Sequence, residues 1–321
     1  MNASSQTATG RIRVGVVGVG YLGKLHAKIY AGMPQVELVG VVDVSAEAAR
    51  ETAAQHGCAA YTDPAELIDK VDAVSIVVPT SLHLPVARAF LERGIHMLME
   101  KPLAPSLEEA RELVTLAERS RGIFQVGHLE RFNAGVMALA ERAPDPRFIE
   151  VHRLGPFVAR ATDVDVVTDL MIHDIDIVLE LVKSPLKIVA ATGIAVITRH
   201  IDIANARLEF ENGSVANVTA SRVSNKKFRR LRLFGDSHYY GLDYIEQKME
   251  MSFAEKAGDG EWPKIVSEVV DIQPRPPLDT ELEHFIRSVR TGQPPLVNGR
   301  VALEALRVAL LVKEKINACL K

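Results

Sequence analysis

Three things are scarce in this chain. Cysteine occurs twice in 321 residues, at Cys58 and Cys319, too few for a disulfide framework or a cysteine metal site. No apolar run approaches the ~20 residues needed to span a bilayer, and the opening "MNASSQTATG" lacks the apolar centre of a secretory signal. Neither sign of charge dominates, since 38 Lys and Arg stand against 41 Asp and Glu, a formal net charge of -3. That balance offers no footing for nucleic acid or an anionic membrane. The cluster "NKKFRR", Asn225 to Arg230, is too short and isolated to change it. The expectation is a soluble, cytoplasmic protein with a small-molecule partner and a disordered tail over residues 1–10.

What is present is an ordinary globular composition, 47% hydrophobic and 25% charged. The length suggests about two domains, each long enough to bury a core. From Ile12 to His128, apolar strand-like runs alternate with helical stretches. "VELVGVVD", "DAVSIVVPT", "IHMLME" and "IFQVGH" read as strands, while "AEAARETAAQHG" reads as a helix stopped by Gly57. "SLEEARELVTLAERSRG" reads as a helix opened by a Ser106–Glu109 capping box. Strands apolar along their whole length suit a parallel sheet covered on both faces, and right-handed crossovers then give a doubly wound sheet.

Gly18-Val19-Gly20-Tyr21-Leu22-Gly23 matches G-x-G-x-x-G between the first strand and the first helix. That context makes it a dinucleotide loop. Gly18 serves the tight turn, Gly20 lets backbone approach a pyrophosphate, and Gly23 lets helix pack on strand. The N–H groups at the helix start, at Tyr21 and Leu22, face the phosphates. Asp43 ends the second strand, about 25 residues after Gly18 and near the ~20 expected of a ribose-binding acid. No arginine follows before Arg50, so NAD is expected rather than NADP. Asp43 could alternatively cap the next helix, a role that Ser45 could equally fill.

After His128 the alternation stops. "IDIANARLEFENGSVANVTASRVS" gives two strands around Asn212-Gly213, a hairpin signal, and "RRLRLFGDSHYYGLDYIEQKMEMSF" adds more. The expected second domain, 129–321, is an open, mainly antiparallel sheet with helices on one face. Its other face, which should carry many large apolar residues, is expected to form a homodimer or homotetramer interface. "QPRPP", Gln273 to Pro277, is read as a linker before two terminal helices.

"DLMIHDIDIVLEL", Asp169 to Leu181, places Met171, Ile172, Ile175, Val178 and Leu179 at helical spacing. Asp169, His173 and Asp176 then share another face. Such a face is either ordinary solvated polarity or an acid–base device.

In order along the chain, "GVVGVGYLGKLHA", "VVPTSLHLPVA", "EKPLA" and "DLMIHDIDIV" resemble the glucose–fructose oxidoreductase, inositol dehydrogenase and MocA (Gfo/Idh/MocA) family. The resemblance implies an N-terminal Rossmann domain, 11–128, and a nicotinamide-linked dehydrogenase of sugars or polyols. It implies that Lys101, Asp169 and His173 carry the chemistry, and that Thr80, His83, Glu100 and Lys101 contact the nicotinamide end. "GHLERFNAGV" and "TDVDVVTDLMIHDIDIV" are similar to the branch that oxidises the 3-hydroxyl of UDP-N-acetylglucosamine. The ketone would then pass to an aminotransferase on the route to amide-linked lipid A. A related branch acts on the glucuronic-acid form, and other members act on inositol. A diphosphate needs cations, for which Arg131, Arg153 and Arg160 are candidates, with Asn133 for a sugar hydroxyl or acetamide and Thr162 beside Arg160. Lys101, Asp169 and His173 would complete the substrate contacts. Asp176 is expected only to fix the helix. No metal is expected.

Overall fold

The computed structural model describes residues 10–143, 145–158, 164–255 and 262–319. The expected tail therefore lies outside the described residues, apart from Gly10. Two compact units emerge: one holds the chain to His128 plus Leu278–Leu303, the other holds Leu129–Pro277 plus Glu304 onward.

Unit 1 runs β1 (Ile12–Val17), α1 (Tyr21–Gly32), β2 (Val36–Val42), α2 (Ala46–His56), β3 (Ala59–Tyr61), β4 (Ala73–Ile76), α3 (His83–Glu92), β5 (His96–Glu100), α4 (Leu107–Arg119) and β6 (Phe124–Gly127). The strands pair in the order β3-β2-β1-β4-β5-β6, every pair parallel. This is the doubly wound order in which the chain reverses direction between β1 and β4, and ligands bind outside the carboxyl ends of the strands. β4 is buried at all four positions, as the continuous apolar runs require. Ser45 caps α2 by accepting from Ala48 N, and Gly57 ends it in the left-handed region at φ 66. Ser106 Oγ accepts from Glu109 N at the start of α4.

Unit 2 contains α5 (Ala134–Arg142), β7 (Phe148–Leu154), a π turn (Val167–Met171) running into α6 (Ile172–Val182), and β8 (Leu186–Ile194). Then follow β9 (Ile203–Phe210), β10 (Val215–Ser221), β11 (Phe228–Phe234), β12 (His238–Asp243), β13 (Lys248–Glu255) and β14 (Lys264–Val270). The sheet order is β14-β13-β12-β11-β7-β10-β9-β8. Neighbours are antiparallel except β7 and β10. The β9–β10 hairpin turns at Asn212-Gly213, with Gly213 at φ 83. Alternation along β7 buries Ile149, Val151 and Arg153 on one face, and α6 packs on β7 and β10. The opposite face follows expectation only in part: Phe148, Phe234 and Tyr239 cluster on it and Phe228 is exposed there. Its centre is charged, with Arg232 paired to Glu150 and Arg230 4.0 Å from Glu250. Exposed aliphatics stand toward its edges: Ile188 and Ile194 on β8, Ile265 and Val269 on β14.

The last two helices are α7 (Pro277–Thr291) and α8 (Gly299–Cys319). A second domain running unbroken from 129 to 321 is corrected here. Leu282, Phe285 and Ile286 of α7 join Val14, Val16, Tyr30, Val41 and Leu98 in the core of unit 1. The apolar stripe of α7 buries there because β1, β2 and α1 offer a matching surface. No helix among the described residues is long and apolar enough to cross a membrane.

Candidate active site

In unit 1 the glycines divide their work as their environments dictate. Gly18 has φ 89, and a Cβ there would stand 2.5 Å from the Val77 carbonyl oxygen. A Cβ on Gly23 would fall 1.8 Å from the Gly18 oxygen. A Cβ on Gly20 meets nothing within 4 Å, and Gly20 is the N-cap of α1 with no side-chain cap. An open space facing an uncapped helix N-terminus fits a pyrophosphate. Tyr21 is exposed and Leu22 half-buried beside that space.

Asp43 follows β2 and bridges two backbone amides. Its Oδ2 accepts from Val19 N and its Oδ1 from Ser45 N, both at 2.9 Å. It therefore ties the glycine turn to the β2 end, while Ser45 is the helix cap. A carboxylate has about four lone-pair sites, so these two bonds leave acceptor capacity for ribose hydroxyls. The next residue, Val44, is exposed and uncharged.

Thr80 begins a short 3₁₀ turn, Thr80–Leu82, and is half-buried. His83 is corrected from a cofactor contact to an internal bracket. Its ring is 1% exposed, with Nδ1 3.2 Å from Leu103 O and Nε2 3.1 Å from Val78 O. Burial holds its pKa below the ordinary histidine value, against the pull of the two carbonyls, so the neutral ring held between the β4 and β5 ends donates to only one of them at a time. Glu100 closes β5 with its carboxyl against Gly127, where a Cβ would stand 3.1 Å from it. Its Oε1 lies 3.3 Å from His26 Nε2. Lys101 follows, half-buried, and its bond to Pro102 is cis.

In unit 2, Asp165 opens the helical segment that carries the D-x-x-x-H pair. Its Oδ1 accepts from Val167 N at 3.0 Å and Thr168 N at 2.9 Å, and Lys313 Nζ of α8 sits 2.7 Å from Oδ2. Burial alone would raise this carboxyl's pKa, but the Lys313 contact and the amide donors bring it below its usual value. Asp169 lies in the π turn and His173 in the first turn of α6, both half-buried. A π turn here departs from the regular helix expected, and single π turns often mark functional positions.

Past His173 the helix is buried on nearly every side, including Asp174 and Asp176. Arg153 forks onto Asp174 (Nε–Oδ2 2.7 Å, Nη2–Oδ1 2.8 Å) and donates to Glu130 Oε1 at 2.7 Å. Burial opposes its charge, yet the two carboxylates hold its pKa well above the ordinary value. Arg131 reaches Asp176 at 3.3 Å and Glu180 at 2.6 Å. Asn133 caps α5 through Gly135 N and donates to Tyr244 O at 2.9 Å. Arg131, Arg153 and Asn133, expected at substrate, are corrected to buried structural groups, each 3% exposed or less. Arg160 and Thr162 lie outside the described residues. Asp165, Lys313, Glu130 and Asp174 were not anticipated. Asp174 carried a signal, because it falls within the apolar stripe between Met171 and Val178, where an acid must find a buried base. No group of His, Cys, Asp and Glu among the described residues could hold a metal.

Residues 12–128 match an oxidoreductase family described as an NAD-binding Rossmann fold, and residues 140–240 match the GFO/IDH/MocA C-terminal domain. The chain is 37% identical to the UDP-N-acetylglucosamine 3-dehydrogenase of Acidithiobacillus ferrooxidans, over 97% of this chain and 99% of that one. Identity to the inositol 2-dehydrogenase of Rhizobium meliloti is 27%, over 93% and 94%. The solved structure of the Acidithiobacillus enzyme superposes with a TM-score of 0.90 at 36% identity, covering 96% of this chain and 98% of that chain. Levoglucosan dehydrogenase in complex with NADH and levoglucosan superposes at 0.84 with 20% identity, over 96% and 98%, a likeness of fold alone.

Proposed function

From its membership of the Gfo/Idh/MocA family of nicotinamide-dependent oxidoreductases, we propose that the chain oxidises the 3-hydroxyl of UDP-N-acetylglucosamine to a ketone with NAD. The observation that carries this reading is the 37% identity to a UDP-N-acetylglucosamine 3-dehydrogenase along almost the whole of both chains. Asp43 supports NAD over NADP, because its carboxylate repels a 2′-phosphate and exposed Val44 supplies no cation.

Oxidising a secondary alcohol removes a hydride from carbon and a proton from oxygen. The nicotinamide ring, when bound, accepts the hydride. Lys101 binds the reacting oxygen and stabilises its developing negative charge. His173 takes the proton as a general base, and Asp169 steadies the resulting imidazolium or holds a neighbouring hydroxyl. Thr80 and Glu100 contact the nicotinamide nucleotide. Arg160 and Thr162 are assigned to the diphosphate of the substrate. Oxidation to a ketone by NAD is uphill near neutral pH, so an aminotransferase that consumes the product, as on the route to amide-linked lipid A, would draw it forward. The β8 and β14 edges of the outer sheet face, with their exposed aliphatics, are the surfaces on which a homodimer or homotetramer would form.

The 27% identity to inositol 2-dehydrogenase supports a second reading, oxidation of a free polyol. NADH formation measured with UDP-N-acetylglucosamine, its glucuronic-acid analogue and inositol separates these. A signal with UDP-N-acetylglucosamine alone supports the first reading. Turnover of inositol with silence from every nucleotide sugar would replace it by the second.

A further inference from the structure

Glu281 lies on α7 within unit 1 with no exposed surface, and neither of its carboxyl oxygens meets a hydrogen-bond donor among the described residues. Each neighbouring element explains why. From β6, Gln125 sends its Nε2 to the Glu281 backbone oxygen at 3.2 Å, not to the carboxyl. From α1, the Tyr30 hydroxyl pairs with Ser75 Oγ of β4 at 2.8 Å, and burial keeps it un-ionised. On α7 itself, His284 bonds Gln125 Oε1 at 3.1 Å, and burial with nearby Arg287 lowers its ring to about 4. It therefore brings no charge at neutral pH. The charge that acts on Glu281 comes from β5: Glu100, of the same sign, whose own partner is His26 of α1 at 3.3 Å. Burial and this like charge both disfavour an ionised Glu281.

Glu100 ends β5 at the carboxyl edge of the sheet. The β1–β3 half ends at Asp43, suited to the adenosine ribose, which leaves the β4–β6 half for the nicotinamide nucleotide. We propose that Glu281, buried without a donor among the described residues, keeps its proton at neutral pH, so that the Glu100–Glu281 pair carries a single negative charge and the cofactor's redox preference shifts only at the alkaline pH where that proton is lost. One negative charge favours the cationic, oxidised ring over the neutral, reduced one. Loss of the Glu281 proton would double the charge and steepen that preference, slowing exchange of oxidised cofactor. The shift in redox preference rests on the nicotinamide reading of unit 1. The location of the proton does not.

Two measurements on the full chain test this. Infrared spectra of the ligand-free protein, unlabelled and ¹³C-glutamate-labelled, should show an isotope-shifted carboxylic-acid carbonyl band at neutral pH that Glu281→Gln removes. Calorimetry should then give the NADH-to-NAD dissociation-constant ratio against pH. Wild type and Glu281→Gln should agree within about twofold at neutral pH, because the amide mimics the neutral acid. At the alkaline pH where the band disappears, the wild-type ratio should rise severalfold while the variant stays level. Absence of a labelled acid band at neutral pH overturns the proposal, as does an equal rise in both proteins. Should the variant fail to fold, the wild-type band and its titration, followed beside the wild-type ratio, decide the matter. If neither cofactor form binds, the nicotinamide reading and the shift in redox preference fall together, and the infrared band still decides the proton.

Discussion

Gly20 and Gly23 stand three residues apart at the start of α1, yet an added methyl group means something different at each. At Gly20 it would enter open space, so Gly20→Ala should fold with an unchanged melting temperature and lose affinity for NAD, by calorimetry, because it fills the pyrophosphate cradle. At Gly23 it would strike backbone, so Gly23→Ala should lower the melting temperature as well as the affinity. A second residue-scale contrast concerns Lys101. Lys101→Ala should keep NAD binding and lose turnover by roughly 10²-fold or more, the scale of a removed charge-stabilising donor. Retained turnover would remove Lys101 from the mechanism. Single residues also show where sequence reading fails. The letter R at 131 and 153, or H at 83, does not disclose whether the side chain meets solvent. All three proved buried against protein partners; apart from Val78, five residues before His83, the groups that claim them come from segments at least twenty residues away.

At the scale of elements, α6 is the clearest case of a helix held by buried charge. Removing one member of the Arg153–Asp174–Glu130 set strands an unpaired ion, a cost of about 3–5 kcal/mol for a buried pair. Arg153→Met should therefore destabilise strongly, and the double variant Arg153→Met, Asp174→Leu should recover part of the loss in denaturant titrations. No recovery would mean that the pair matters for packing and not for charge. Local signals in the sequence were faithful guides to such elements: the Ser106 cap of α4, Gly57 after α2, and the Asn212-Gly213 hairpin all appear where their chemistry places them. The π turn left no such trace. Neither did the parallel pairing of β7 with β10, since partners so far apart in the chain share no local pattern.

For the molecule as a whole, stability in acid should follow its depressed carboxylates. Burial tends to raise Asp202, but amides of Thr198, Ile197 and Val196 and the Thr198 hydroxyl bring it to about 2. Asp165 is also lowered. A carboxyl lowered in the folded state binds its proton first in the unfolded state. Its contribution is present above the unfolded value of ~3.9 and is lost as pH falls through the folded one. The melting temperature should fall between about pH 4 and pH 2, and Asp202→Asn should start lower and fall less over that window. An identical pH slope in both proteins would clear Asp202 of that role. The doubly wound half was readable because alternation and glycine spacing are local. The destination of α7 was not, because an apolar stripe shows that a helix will be covered and not by what.

That destination bears on how the chain comes into being. Leu282, Phe285 and Ile286 belong to the core begun by Val14 and Val16, although most of the second unit is encoded between them. During synthesis the first sheet must wait, its cover still unmade, until the ribosome has passed the last residues of α7. A fragment of residues 1–128 should accordingly bind hydrophobic dye and yield quickly to protease. A nascent chain halted before Leu278 should be a better client for chaperones than one halted after Leu303.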